Sequence, residues 1–137
     1  MAKRIKELGE LRLISGFTSV QIYLESKTSE LKNQGLLIAA EFIDEKGETL
    51  GQDEVKSSYS KALQAQYRYI EKQEDDSAIF QSVPFTLSRP AYIANFKAIE
   101  WGRGFSSEKV FLKSLAGLWM IFENSENGTS WTYRMGA

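Results

Sequence analysis

Carboxylates, tryptophans and arginines are the residues of this 137-residue sequence that could do chemistry, because histidine and cysteine are both absent. Without histidine there is no usual general base behind a serine nucleophile and no imidazole for a transition metal. Without cysteine there are no thiolate nucleophiles, disulfides or thiolate zinc sites. What remains for catalysis is a pair of carboxylates, one of them held protonated in an apolar site, as in glycoside hydrolysis. Glu41 with Glu123 is the candidate pair, with a solvated structural role as the preferred reading. Asp44, Glu45 and Glu48, or Asp75 and Asp76, could offer oxygens to calcium, yet neither set has the spacing of a calcium loop. The sequence therefore predicts a domain that is not an enzyme and carries no cofactor or metal.

Binding chemistry is easier to place. Asn127-Gly128 is a strong hairpin signal, since a two-residue type I′ turn needs positive φ at both central positions. A turn there sets Phe122 opposite Tyr133 and Asn124 opposite Trp131. Leu118, Met120, Phe122, Trp131, Tyr133 and Met135 then share an apolar, core-facing side, and Trp119, Ile121, Glu123, Thr132 and Arg134 share the other. A tryptophan beside a carboxylate, a hydroxyl and a guanidinium has the makeup of a sugar-stacking platform. A Trp119 covered by a loop or another domain is the competing reading. Outward positions that would join it, if their strands lie in the same sheet, are Tyr23, Glu41, Arg68, Asn95 and Lys97. Trp101 and Arg103 mark a glycine-flanked loop tip at 101–105. Asn127-Gly128-Thr129 also matches a glycosylation sequon, which the turn explains without any sugar.

The elements that must hold these residues read as short strands of period two. Val20, Ile22 and Leu24 alternate with polar neighbours. Leu36, Ile38, Ala40 and Phe42 share a face up to an Asp44-Glu45-Lys46-Gly47 turn, with a return strand from Glu48 to Leu50. Val83, Phe85 and Leu87 alternate up to a turn at Arg89-Pro90. From Ala91 to Trp101 the phase changes near Lys97 or Ala98, as a β-bulge would make it. Lys109 to Lys113, Leu118 to Asn124 and Thr129 to Arg134 read as a meander. The ambiguous stretch is 55–70, read as a loop or short helix near 57–64 followed by a strand from Gln66 to Ile70, with Glu71 to Asp76 as an acidic turn. Residues 1–10 read as a flexible or edge segment. The expected fold is all-β, a single antiparallel, jelly-roll-like β-sandwich spanning residues 1–137.

Charge narrows the partners. Seventeen basic and eighteen acidic residues leave a net charge of −1, without the clustered positive field that a nucleic-acid backbone requires. Lys3, Arg4, Lys6 and Arg12 form the one basic concentration, read as solvated chain rather than a binding arm. No apolar run approaches the roughly 20 residues that span a bilayer, and residues 1–20 lack a signal-peptide pattern. No membrane insertion is expected, and a cytoplasmic location follows if this is the complete chain.

Two segments carry a resemblance. The run from Leu37 to Leu50, a strand, an Asp-x-x-Gly turn and a strand, looks like a unit common in carbohydrate-binding jelly-roll modules. Val83 to Leu87 followed by Arg89 to Ile93 resembles the proline-bent strand pairs of the same broad class. The resemblance implies fold more than ligand, and it transfers no binding residue. Such modules often bear calcium and follow a secretion signal, and neither is read here. The expectation that combines both arguments is an accessory binding domain for carbohydrate or glycan-processing proteins. The alternative is a module that docks a partner protein or a second copy of itself.

Overall fold

A computed structural model describes residues 4–27, 34–56, 67–72, 77–82, 85–102 and 107–134. These residues build a mainly antiparallel β fold with one short helix. The strands are β1 (Ile5–Lys27), β2 (Gln34–Ile43), β3 (Val55–Lys56), β4 (Tyr67–Lys72), β5 (Ser77–Ser82), β6 (Phe85–Gly102), β7 (Leu118–Asn124) and β8 (Thr129–Arg134). Helix α1 (Glu108–Ser114) leads through one 3-10 turn, Leu115–Gly117, into β7. Among the described residues all eight strands join one hydrogen-bonded sheet, with the path β2-β6-β1-β5-β4 and with β7 and β8 branching from β1.

Two long strands make that branching. A straight strand of 23 residues would reach about 75 Å, roughly twice the width of a domain this size, so β1 has to bend. It does so where glycine permits positive φ. Gly9 (φ 94°) makes a bulge at the shift between Glu7 and Gly9. At Gly16 (φ 72°) an added Cβ would lie 2.9 Å from the Tyr92 ring, so both the conformation and the space demand glycine. Ile5–Arg12 pairs with Ile93–Ile99 of β6, Ser19–Leu24 pairs with β7, and Tyr23–Lys27 pairs with β5.

The other long strand, β6, corrects two expectations. Arg89-Pro90 is no turn, because β6 runs unbroken through it. Residues 88–90 carry no ladder pair among the described residues, so the N–H that Pro90 lacks is not needed there. The phase change falls between Ala91 and Ala94, where the register with β1 shifts, and not near Lys97 or Ala98. Ala94, Phe96, Ala98 and Glu100 are all buried, one unbroken alternation.

Lys109 to Lys113, expected as a strand, lies in α1. Ser107 caps it by accepting from the Val110 N–H at 3.2 Å, Glu108 sits in the first turn, and buried Phe111, Ser114 and Leu115 recur at helical spacing. The helix considered for 57–64 lies outside the described residues, as does the acidic run beyond Lys72. Gly47 (φ 87°) turns β2 as expected, but the return from Glu48 to Leu50 reduces to a single bridge between Ile43 and Thr49. Residues 5–10, expected to be flexible or at an edge, are an edge of β1.

The core is a closed circuit of phenylalanines from four strands. Phe17 (β1) meets Phe42 (β2) and Phe122 (β7) edge to face at 5.9 and 5.0 Å, and Phe96 (β6) meets the same two rings, each at 6.2 Å. That arrangement aligns ring edges with ring faces, the favourable quadrupole geometry. It fixes which side of β1, β2, β6 and β7 faces outward around these rings.

Candidate functional site

The outward side of β1, β7 and β8 gathers most of the expected binding residues into cross-strand rows. Tyr23, Trp119 and Arg134 are directly opposed across the three strands, Gln21, Ile121 and Thr132 form the next row, and Ser19, Glu123 and Ser130 the third. Tyr23 and Trp119 stack with ring centroids 5.2 Å apart and planes 8° from parallel. The Arg134 guanidinium carbon lies 5.1 Å from the Trp119 ring centroid. Because β7 runs between β1 and β8, the tyrosine and the guanidinium flank the indole from opposite sides. Trp119 is half-buried, with Tyr23 and Arg134 against its ring.

The hairpin that presents this face is built differently from expectation. Phe122 pairs with Trp131 and Asn124 with Thr129, a slip of two residues from the predicted register, around a four-residue turn at 125–128. A slip of two leaves every side chain on its predicted face, so the composition of the face survives. Buried Asn124 is the cause. Its Oδ1 accepts from the Glu126 N–H, its backbone carbonyl accepts from the Gly128 N–H, and its Nδ2 donates to the carbonyls of Ser15 and Gly16. Tyr133 is more exposed than its core-facing position implies, while Trp131 packs against the core.

The other candidates scatter. Arg68 lies opposite Gln81, which lies opposite Tyr23, so the backbone register extends the first row onto β5 and β4. Asn95 is in a different part of the sheet, opposite Glu10 and Glu41. Lys97 there bridges Glu7 at 3.6 Å. Trp101 is no loop tip but a strand residue of β6, paired with Gly35. Arg103 lies outside the described residues. Glu41 and Glu123 fall on separate rows, so the register does not bring the candidate acid–base pair together.

A second polar centre went unread in the sequence. Arg89 donates through Nε and Nη2 to Glu54 and through Nη1 to Asp44. Asp44 Oδ1 also accepts the N–H groups of Lys46 and Glu48, each at 2.9 Å, and Glu54 Oε1 accepts from Gly51 at 3.0 Å. The Arg89 hydrogen bond, followed by these backbone donors, holds both carboxyls below the ordinary carboxylate range, and the two carboxylates in turn raise Arg89. Both Asp44 oxygens are thus occupied, and a calcium ion at this turn would have to displace Arg89. Among the described residues no group of three acidic side chains is placed to hold a metal. A cleft of about 500 Å³ opens beside this turn, between Asp44–Gly47 and Arg12, Ile14 and Tyr92. The sequence signal is Arg89 before a proline in a strand with no hydrophobic reason to end, a pattern that a turn fits equally well.

Two residues of the basic run at the N-terminus are likewise paired within the chain. Arg4 bridges buried Glu100, and Arg12 bridges Glu10 at 2.9 Å. No described helix is long and apolar enough to cross a membrane. Comparison with family models, curated proteins and solved structures returns no match for this chain.

Proposed function

We propose that this domain is a non-catalytic binding module that docks a partner protein through the outer face of β1, β7 and β8. The observation that carries this reading is the Tyr23-Trp119-Arg134 row. Tryptophan, tyrosine and arginine are the side chains that dominate binding energy at protein interfaces, and stacking against one another fixes them before a partner arrives. The rows beside them, Gln21-Ile121-Thr132 and Ser19-Glu123-Ser130, place polar groups along one side of these anchors around Ile121.

A pyranose needs an open aromatic face, and here both faces of the indole are covered. Carbohydrate is the second reading, favoured by one observation: Arg134 is exposed, so its guanidinium can swing away and uncover the ring. A photo-crosslinking residue at Thr132 in cells of the native source separates the two. Protein adducts that disappear in a Trp119→Ala background support docking. Adducts that persist in that background, or that match those from a probe at Lys97 on the other part of the sheet, reject this face. Glycan binding that Trp119→Ala abolishes, with no protein adducts, moves the assignment to carbohydrate.

A further inference from the structure

A different part of the molecule carries an association of its own. From Ile5 to Arg12, β1 pairs with β6 along one edge, and among the described residues no strand pairs the other. That side of β1 is taken by β7 only from Ser19 onward. Every second residue of an unpaired edge directs its N–H and C=O into solvent, a template for another strand.

The side chains along this edge are self-complementary. Ile5, Glu7, Glu10 and Arg12 oppose Ile99, Lys97, Asn95 and Ile93, which alternate with buried Ala98, Phe96 and Ala94, so all four point outward. Ile14 continues the row at 96% exposure, and Ile5 is 60% exposed, the two most exposed large apolar side chains among the described residues. The Gly9 bulge keeps Leu8, Leu11 and Leu13 on the inner side.

We propose that this edge pairs antiparallel with the same edge of a second copy of the chain, about a two-fold axis at Glu10, setting Ile5 against Ile14 and Glu7 against Arg12. Each contact away from the axis occurs twice, as an isologous interface requires. Lys6 then meets Leu13, and the Leu8–Gly9 bulge meets Leu11. Shifting by one residue would oppose outward to inward rows. A shift by two in one direction sets Glu7 against Glu10 twice, and in the other it strands Ile5 and sets Glu7 against Ile14. The two Glu10 carboxylates meet on the axis, each already held by Arg12 of its own chain at 2.9 Å. With Lys97 on Glu7, the four charged side chains on the outward side of each copy sum to zero.

Sedimentation across a concentration series tests the pairing, with charge exchange to fix the register. Glu7→Arg sets arginine against Arg12 and yields monomer, and Glu7→Arg with Arg12→Glu restores the dimer. Glu10→Gln tightens association about 2- to 5-fold by removing the like charges on the axis. Because the chain has no cysteine of its own, an Ile5→Cys, Ile14→Cys variant oxidises to a closed covalent dimer. The two sites lie about 27 Å apart along one strand, too far to bond internally. A chain that stays monomeric to about 1 mM overturns the proposal. So does a dimer indifferent to Glu7→Arg, or oxidation that gives open polymers or no cross-link.

Discussion

The Arg89 centre and the Trp119 face are both built around an arginine, and they use it in opposite ways. At Arg89 the guanidinium is spent inside the chain: it ties the turn after β2 to the segment before β3, and its partners satisfy their remaining lone pairs on backbone N–H groups. At Arg134 the guanidinium lies on an indole at the surface, stabilised by contact with a ring and open to solvent on its far side. The charged cluster that looks most like chemistry is therefore a brace, and the plainer aromatic row is the surface that the proposed function assigns to a partner. A polar group paired on several sides within the chain holds a fold, whereas a pre-ordered group with one side open can bind.

The comparison breaks first at Arg89. Arg89→Met leaves Asp44, a buried residue, with its charge partner removed, and thermal melting should fall further than in any other variant named here. The same variant changes the response to acid. Asp44 and Glu54 have folded-state values below those of the unfolded chain, so their contribution is complete above the ordinary carboxylate range and is lost as the pH drops through the lowered values. Urea unfolding across an acid series should show this loss in the native protein and a flatter profile in Arg89→Met. An equally steep profile would remove Arg89 as its source.

Asn124→Ala comes next. It strips the donors from the Ser15 and Gly16 carbonyls and should cost about 1–3 kcal/mol in chemical denaturation, with the β7–β8 turn exchanging amide hydrogens faster. Trp119→Ala is smaller, about 1 kcal/mol or less by the same measurement, because only cross-strand stacking at the surface is lost. A cost several times larger would make Trp119 a structural residue and dissolve the contrast with Arg89. Thr132→Val should leave stability within about 0.5 kcal/mol while still altering what the face binds.

Legibility followed the reach of each interaction. The strand character of β2 and β7 was readable because period-two alternation at Ile38-Ala40-Phe42 and Leu118-Met120-Phe122 is local, and all six residues are buried. Tyr23, Trp119, Thr132 and Arg134 were found together because parity alone selects a face and a slip of two does not change parity. The true register was hidden, because it depends on Asn124 reaching back to Ser15 and Gly16 across more than a hundred residues. Helix α1 is not legible because five residues, Lys109 to Lys113, fit either period, and the cap at Ser107 decides between them. Arg89 could not be read from its neighbours, since its partners Asp44 and Glu54 come from distant turns.

The partner-switching of β1 also bears on how the chain is made. Of these eight strands β1 is made first, and its N-terminal half waits long for its mates: Arg4 and Glu100 lie 96 positions apart, and Ile5 waits for Ile99. Closing so distant a contact before any reward arrives is slow. Throughout synthesis of the intervening segments Ile5 to Arg12 stays without its native ladder, a sticky extended segment that needs shielding. Folding of this domain should accordingly depend on holding chaperones more than its modest length suggests.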